Sequence, residues 1–273
     1  METQWDMTLL KDSLDLAGAK HFKSFDELRH SNENNGRVFV VIAGQHQLNY
    51  INNLNLDLWY FSKVTLCIVG DEENLFPVEQ IKHPNITFLI QSPKPGRHDA
   101  YPDRILFGYP PDIKRYSPAT AEKTLDWFFA GQVNHKRRED CCRVLRTLAN
   151  GVLLETPGFL QGFGRWEYLA HTGSAKIIPC PSGVASPDSF RMCEALECGC
   201  VPVVDGLSPR PGYESFWEYV LGEKPPFPVI TDWNEFPKIL QEQLAAWPSN
   251  AQICKQWWAE YKNKFVEKLK SCE

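Results

Sequence analysis

Long hydrophobic runs are missing from this chain. No stretch approaches the roughly 18 consecutive apolar residues that a membrane-spanning helix needs. The opening METQWDMTLLKDSLDLAGAK interrupts every apolar cluster with charge, so it lacks the uninterrupted core of a signal peptide. A soluble, cytoplasmic chain with no membrane span is expected. A positive charge excess is missing too: 29 basic residues against 34 acidic ones leave a net charge of −5. That balance argues against a protein whose main task is gripping a nucleic-acid backbone, although a local basic groove would be compatible with it. No two of the nine cysteines have Cys-x-x-Cys spacing, and Cys67, Cys180, Cys193 and Cys198 stand in apolar runs. Reduced, buried thiols are therefore expected rather than disulfides or a zinc site. The chain has no Asp-x-Asp triplet and its seven histidines do not cluster, so neither a metal site nor a cofactor is expected.

What is there is a repeated alternation of strand and crossover. RVFVVIAG (37–44), VTLCIVG (64–70), ITFLIQS (86–92) and RILFGY (104–109) are apolar without alternating, the pattern of parallel strands covered on both faces. The stretch 93–119 carries six prolines and breaks the periodicity, which predicts a domain boundary at its end. The pattern then restarts with LDWFFAGQ (125–132), a basic helix HKRREDCCRVLRTLAN, strand VLLETPG, helix GRWEYLAHTGSAK, strand KIIPCPSG, a short helix and strand CVPVVDG. The tail is predicted to be an amphipathic helix, with apolar residues at 253, 257, 258, 261, 265 and 269. The fold class that follows is α/β, two small Rossmann-type lobes whose parallel sheets face a central cleft. The predicted divisions are an acceptor-side lobe 1–119, a donor-binding lobe 120–250 and a C-terminal helix 251–273.

SPDSFRMCEALECGCVPVVD (186–205) carries the most chemistry. Ser186 reads as an N-cap, Pro187 as the first helical residue, and Gly199 as the stop about three turns later. The preceding PCPSG loop can turn backbone amides near Ser182, Gly183 and Ser189 outward beside the positive end of the helix dipole, which makes an anion site. Arg191 offers a planar fork for phosphate, and Glu194 on the same face could accept the two hydroxyls of a ribose. One nucleoside diphosphate would use both charges; the alternative is a solvated i, i+3 ion pair. A second element, FFAGQVNHKRRED, places Lys136, Arg137 and Arg138 at a helix start, where cations oppose the dipole. Phosphate binding by Arg137 or Arg138 would explain that placement, against the alternative of a solvated basic turn.

Taken together, FFAGQ…RR, GSAKIIPCPSG and DSFRMCEALECGCVPVV resemble the carboxyl-terminal lobe of exostosin-like glycosyltransferases, over residues 127–205. The resemblance implies the two-lobed GT-B architecture and a nucleoside-diphosphate-sugar donor held by this lobe. It puts Gly131 and Arg137 or Arg138 near the donor phosphates, Arg191 on the diphosphate and Glu194 on the ribose. It also implies metal-independent transfer and a tail helix that crosses back to the first lobe. The expected activity is sugar transfer, with inversion, to an acceptor hydroxyl of a glycan, protein or small molecule.

An inverting transfer needs a general base, and strand ends of the first lobe offer His46, Asp71 and Glu72, with Asp99 as an outside candidate. Each could instead be a loop cap or an exposed turn residue, and a retaining reaction would need none of them. Trp166, Trp217, Trp233, Trp257 and Trp258 could stack on a ligand, with packing between helix and sheet as the alternative. Two other functions fit the same pattern. One is transfer to a hydroxylated base in DNA, for which Lys94, Arg97, Arg104, Lys114 and Arg115 would supply a basic groove; the other is a nucleotide-sugar-binding module without turnover.

Overall fold

The protein is represented by a computed structural model that describes residues 7–31, 37–43, 51–113, 121–158 and 161–271. It separates into two units, each α/β with its own all-parallel sheet. One unit takes Leu9–Leu106 and the chain from Lys262 on; the other takes Phe107–Tyr261 and, of the described early residues, those up to Thr8.

The first unit opens with helices α1 (Thr8–Leu16) and α2 (Phe25–His30). Ser24 caps α2 by accepting the Glu27 N–H at 3.1 Å, while Glu27 reaches back to the Lys23 N–H at 2.7 Å, a reciprocal pair that fixes where the helix starts. Strands β1 (Arg37–Ala43), β2 (Lys63–Val69), β3 (Ile86–Gln91) and β4 (Asp103–Ile105) lie side by side in chain order. Helix α3 (Ile51–Leu58) places Ile51, Leu54 and Leu58 on one stripe, and these join Val64, Leu66, Ile68, Phe88 and Ile90 in the core. The apolar runs thus form the predicted strands, except that RILFGY pairs only as far as Ile105.

The second unit contains β5 (Leu125–Gln132), α4 (Lys136–Leu145), β6 (Gly151–Thr156), α5 (Arg165–Ser174), β7 (Ala175–Cys180), α6 (Phe190–Glu197), β8 (Val201–Asp205), α7 (Phe216–Leu221), β9 (Val229–Ile230) and α8 (Phe236–Ala245). Its strand order is β6-β5-β7-β8-β9, so in chain order the second strand flanks the first on one side and the third flanks it on the other. This is a doubly wound, Rossmann-like order, and it reverses between β5 and β7. At such a reversal the crossovers leave toward opposite faces and open a crevice beyond the strands' carboxyl ends. The first sheet, whose strands follow one another without reversal, has no such point among the described residues.

The division falls at Leu106–Phe107, ahead of the boundary expected at 119. The reason is what 107–113 packs on. The Phe107 N–H donates to Asp188 Oδ2 at 2.7 Å, its ring meets Phe190 edge-on at 4.6 Å, Tyr109 packs on Trp258, and Asp112 pairs with Arg165. The tail helix α9 spans Ser249–Ser271. Cys254 and Trp258 are buried in the second unit, whereas the residues from Lys262 on belong to the first, where Lys268 pairs with Asp103. No helix of the described residues is long and apolar enough to cross a membrane. The eight described cysteines are free and buried, and burial pushes the Cys142 thiol up to about 11 and the Cys254 thiol up to about 12.

Candidate functional site

A group of polar side chains of the second unit meets at the sheet rim beside the β5–β7 reversal. Asp205, at the end of β8, organises them. It is fully buried, and its carboxylate accepts hydrogen bonds from Arg137 Nε (3.0 and 3.1 Å) and Nη2, the Ser182 N–H (3.3 Å), the Leu207 N–H (3.1 Å) and Trp233 Nε1 (3.2 Å). Its own carbonyl accepts Trp217 Nε1 at 2.8 Å. Trp217 and Trp233 are thus core residues held by Asp205. One carboxylate thereby ties the start of α4, the loop after β7 and the entry to α8 to the strand ends. The sequence reading assigned Asp205 no role, although an acidic residue closing the otherwise apolar run VPVVD was a signal that it is buried and paired.

The cations at the start of α4 accordingly have partners inside the protein. Arg137 is the ion-pair partner of Asp205, and Lys136 pairs with Asp140 at 2.7 Å. Arg138 is buried, with Nε donating to the Ser182 carbonyl (3.2 Å) and Nη1 to the Gln132 carbonyl (3.1 Å). Their placement against the helix dipole is offset by Asp205 and by strand-end carbonyls, so phosphate is not required to explain it.

Arg191 lies on the rim itself. Its Nη2 donates to the Ala130 carbonyl at 2.9 Å, and its guanidinium rests over the Phe129 ring at 4.4 Å. Gly131 makes this approach possible, because a Cβ there would fall 2.6 Å from Arg191 Nη2. Glu194 does not pair with Arg191. It is buried, accepting Arg165 Nη1 (2.8 Å) on one oxygen and the Tyr168 hydroxyl (2.6 Å) on the other, and Arg165 continues to Asp112. Burial, and then the neighbouring Glu194 carboxylate, push the Tyr168 phenol well above its ordinary range. The carboxylate expected to receive a ribose is therefore enclosed in the packing of α5 on α6.

Helix α6 begins three residues later than Ser186 and Pro187 suggest. Ser189 is the N-cap, with extended backbone (φ −156°), and the helix runs for eight residues. The shift has a tertiary cause: Ala185 through Asp188 are buried, with the Asp188 carboxylate committed to the Phe107 N–H and the Ala185 carbonyl to the Ser208 hydroxyl. The Gly183 position is closely backed, since a Cβ there would meet the Asp188 carbonyl oxygen at 2.9 Å. Gly199 ends the helix as read, with φ +67° and a Cys200 N–H to Ala195 carbonyl bond of 2.9 Å.

Two helices start at this rim, and neither has a side-chain cap. His135 is the N-cap of α4 and Ser189 that of α6, yet neither side chain bonds a first-turn amide. Serine at this position ordinarily accepts one of those N–H groups. Here the Ser189 hydroxyl, the hydroxyl of fully buried Ser182, Arg191 Nε and both ring nitrogens of His135 are shielded from solvent without a hydrogen-bond partner in the protein. Each such group costs about 1–3 kcal/mol in the interior, and native proteins hold few of them. Their concentration beside two uncapped helix starts makes the rim a place suited to an oxyanion ligand. Burial, then Arg138 and Arg137, push the His135 ring down to about 4, so it is neutral at neutral pH.

The base candidates belong to the first unit. Asp71 is buried and caps its own loop: Oδ1 accepts the Leu75 N–H and Oδ2 the Phe76 N–H, both at 2.9 Å. Glu72 is half-buried, with its backbone carbonyl accepting Asn74 Nδ2 at 3.2 Å. Asp99 Oδ1 accepts the Gly96 N–H at 2.9 Å. His46 lies outside the described residues, as do Lys114 and Arg115. A histidine not singled out in the sequence, His98, is buried here. Its Nδ1 accepts the Lys94 N–H at 3.0 Å, which puts the ring hydrogen on Nε2, and burial followed by Arg97 and Arg104 pushes it down to about 4.

No protein-family model matches the chain, and no curated protein matches it in sequence.

Proposed function

We propose that the second unit binds a nucleoside diphosphate at the β5–β7 reversal. The protein would use it as the leaving group of a nucleoside-diphosphate sugar, acting as a glycosyltransferase on an acceptor hydroxyl. What supports this most is a coincidence of position. The one reversal of strand order among the described residues carries Arg191, two uncapped helix starts and the unpartnered hydroxyls of Ser182 and Ser189. Amides at helix starts and a guanidinium held by a strand-end carbonyl take up the charge that a departing diphosphate develops, and they are in place before reaction. The resemblance of residues 127–205 to exostosin-like donor lobes points the same way and adds the sugar. In this reading transfer is inverting and needs no resident metal, and the acceptor is a glycan, a protein or a small molecule.

Binding of a panel of nucleoside diphosphates, followed by thermal shift and calorimetry without added divalent ion, tests the proposal. One of them is expected to raise the unfolding temperature by several degrees. At a hundredfold excess over Kd the stabilisation is about 2.7 kcal/mol. Arg191→Ala should abolish the response, and no response to any nucleotide refutes the proposal. The commitment of Asp71 to its own loop favours one other reading, a nucleotide-sugar-binding module without turnover. Release of nucleoside diphosphate from sugar donors, with and without acceptor, separates the two.

A further inference from the structure

We infer that His135 is a phosphate-binding residue of this site and that its ring takes up a proton more readily when a diphosphate is bound. The inference rests on the reading that the rim at the β5–β7 reversal holds a diphosphate. It starts from position: His135 is the N-cap of α4, with extended backbone (φ −159°), and its side chain leaves the first-turn amides uncapped. A histidine in that place either bonds the backbone or serves something else. Both of its ring nitrogens are shielded and unpartnered. The Ser182 backbone is near enough to act on the ring and favours its protonated form, while its carbonyl is shared with Arg138 Nε.

The charged surroundings show what would complete it. From its own helix come Arg138, held on the Ser182 and Gln132 carbonyls, and Arg137, paired with Asp205 of β8. From the loop after β7 comes the Ser182 backbone, and elsewhere on the same rim are Arg191, held on the Ala130 carbonyl, and the unpartnered hydroxyls of Ser182 and Ser189. Two arginines and a desolvated ring hold the imidazole neutral. A phosphate oxygen placed among them reverses each influence: it screens the arginines, it accepts the ring N–H, and it stabilises the imidazolium. The added proton comes from solvent and sits on the ring nitrogen that was unprotonated, so that both nitrogens then donate. A nucleoside without phosphate lacks the charge to do this.

Imidazole nitrogen NMR on the histidine-labelled full chain reads the ring directly, with inorganic pyrophosphate as the probe and a nucleoside as the control. The His135 midpoint is expected near 4 in the free protein and higher by about one unit or more in saturating pyrophosphate, unchanged by nucleoside. Calorimetry at mildly acidic pH, between the free and bound midpoints, in buffers of different ionisation enthalpy should show proton uptake beyond that of the ligand. His135→Gln should abolish this uptake and weaken pyrophosphate by about tenfold, the scale of one charge-assisted hydrogen bond. If pyrophosphate binds with dependence on Arg191 while the midpoint stays near 4 and His135→Gln binds like the unsubstituted protein, the inference is overturned and the binding site stands. If neither pyrophosphate nor any nucleoside diphosphate binds at any pH, both fall. Should the glutamine variant not fold, the NMR titration of the unsubstituted protein decides alone.

Discussion

Asp205→Asn removes a single charge from the point that ties three rim elements together. Asparagine keeps the volume and one acceptor oxygen, but its amide nitrogen then faces donors: Arg137, the Ser182 and Leu207 N–H groups and Trp233 Nε1. The Asp205 side chain is wholly buried and that of Arg137 is 15 % exposed, so the arginine becomes a largely desolvated cation without its counter-ion. Breaking a buried pair from one side costs about 3–5 kcal/mol, most of it the penalty of the charge left behind. Arg137→Met alone should cost less, because the Asp205 carboxylate keeps its remaining three donors. The double variant should then lie above the sum of the two singles by about 1–3 kcal/mol, the scale of a directly coupled pair. Urea unfolding followed by tryptophan fluorescence is the assay, since Trp217 and Trp233 both bond this residue. A loss below about 1 kcal/mol in Asp205→Asn, or additivity of the two single changes, would refute the bracket described above.

Gly131→Ala should leave the fold nearly intact, because the atom it meets is the far end of a flexible side chain, yet it should push the Arg191 guanidinium off the Ala130 carbonyl. Nucleoside diphosphate binding should therefore fall as in Arg191→Ala, while thermal unfolding shows at most the loss of one charged hydrogen bond, about 1.5–3 kcal/mol. Unchanged affinity would dissociate Arg191 from the ligand. Acid should destabilise the first unit through His98. Its ring titrates near 4 when folded and near 6.5 when unfolded, so the unfolded chain takes the proton first and stability is lost as pH falls through that window. The loss is at most about 3 kcal/mol. His98→Asn, which keeps an acceptor for the Lys94 N–H, should flatten the pH dependence of unfolding between pH 4 and 6.5, and an unaltered acid slope would show that another group is responsible.

Elements whose cause is local were readable in the sequence. Leu125–Gln132 forms the strand that its apolar run predicts, and Gly199 stops its helix. What escaped is pairing over long separations. Arg137 and Asp205 are 68 residues apart, and Arg165 and Glu194 are 29 apart, so charges that look free in a local window already had partners. The same cause moved the start of α6, where Ser186-Pro187 has every local mark of a helix beginning, but Asp188 is drawn to the Phe107 backbone 81 positions away. Strand β9, two residues long, is too short to leave a pattern. The reversal of strand order has no local signature at all, although the residues lining it, Gly131, Ser182, Ser189 and Arg191, were picked out by their chemistry.

The sharing of α9 between the units also bears on the order of folding during synthesis. Every residue from Phe107 to Tyr261 leaves the ribosome before Phe265, Val266 and Leu269, which are buried and belong to the unit that begins at Leu9. The unit encoded later can thus be complete while the earlier one still lacks its closing turns, an inversion of the usual vectorial sequence in which the amino-terminal domain is finished first.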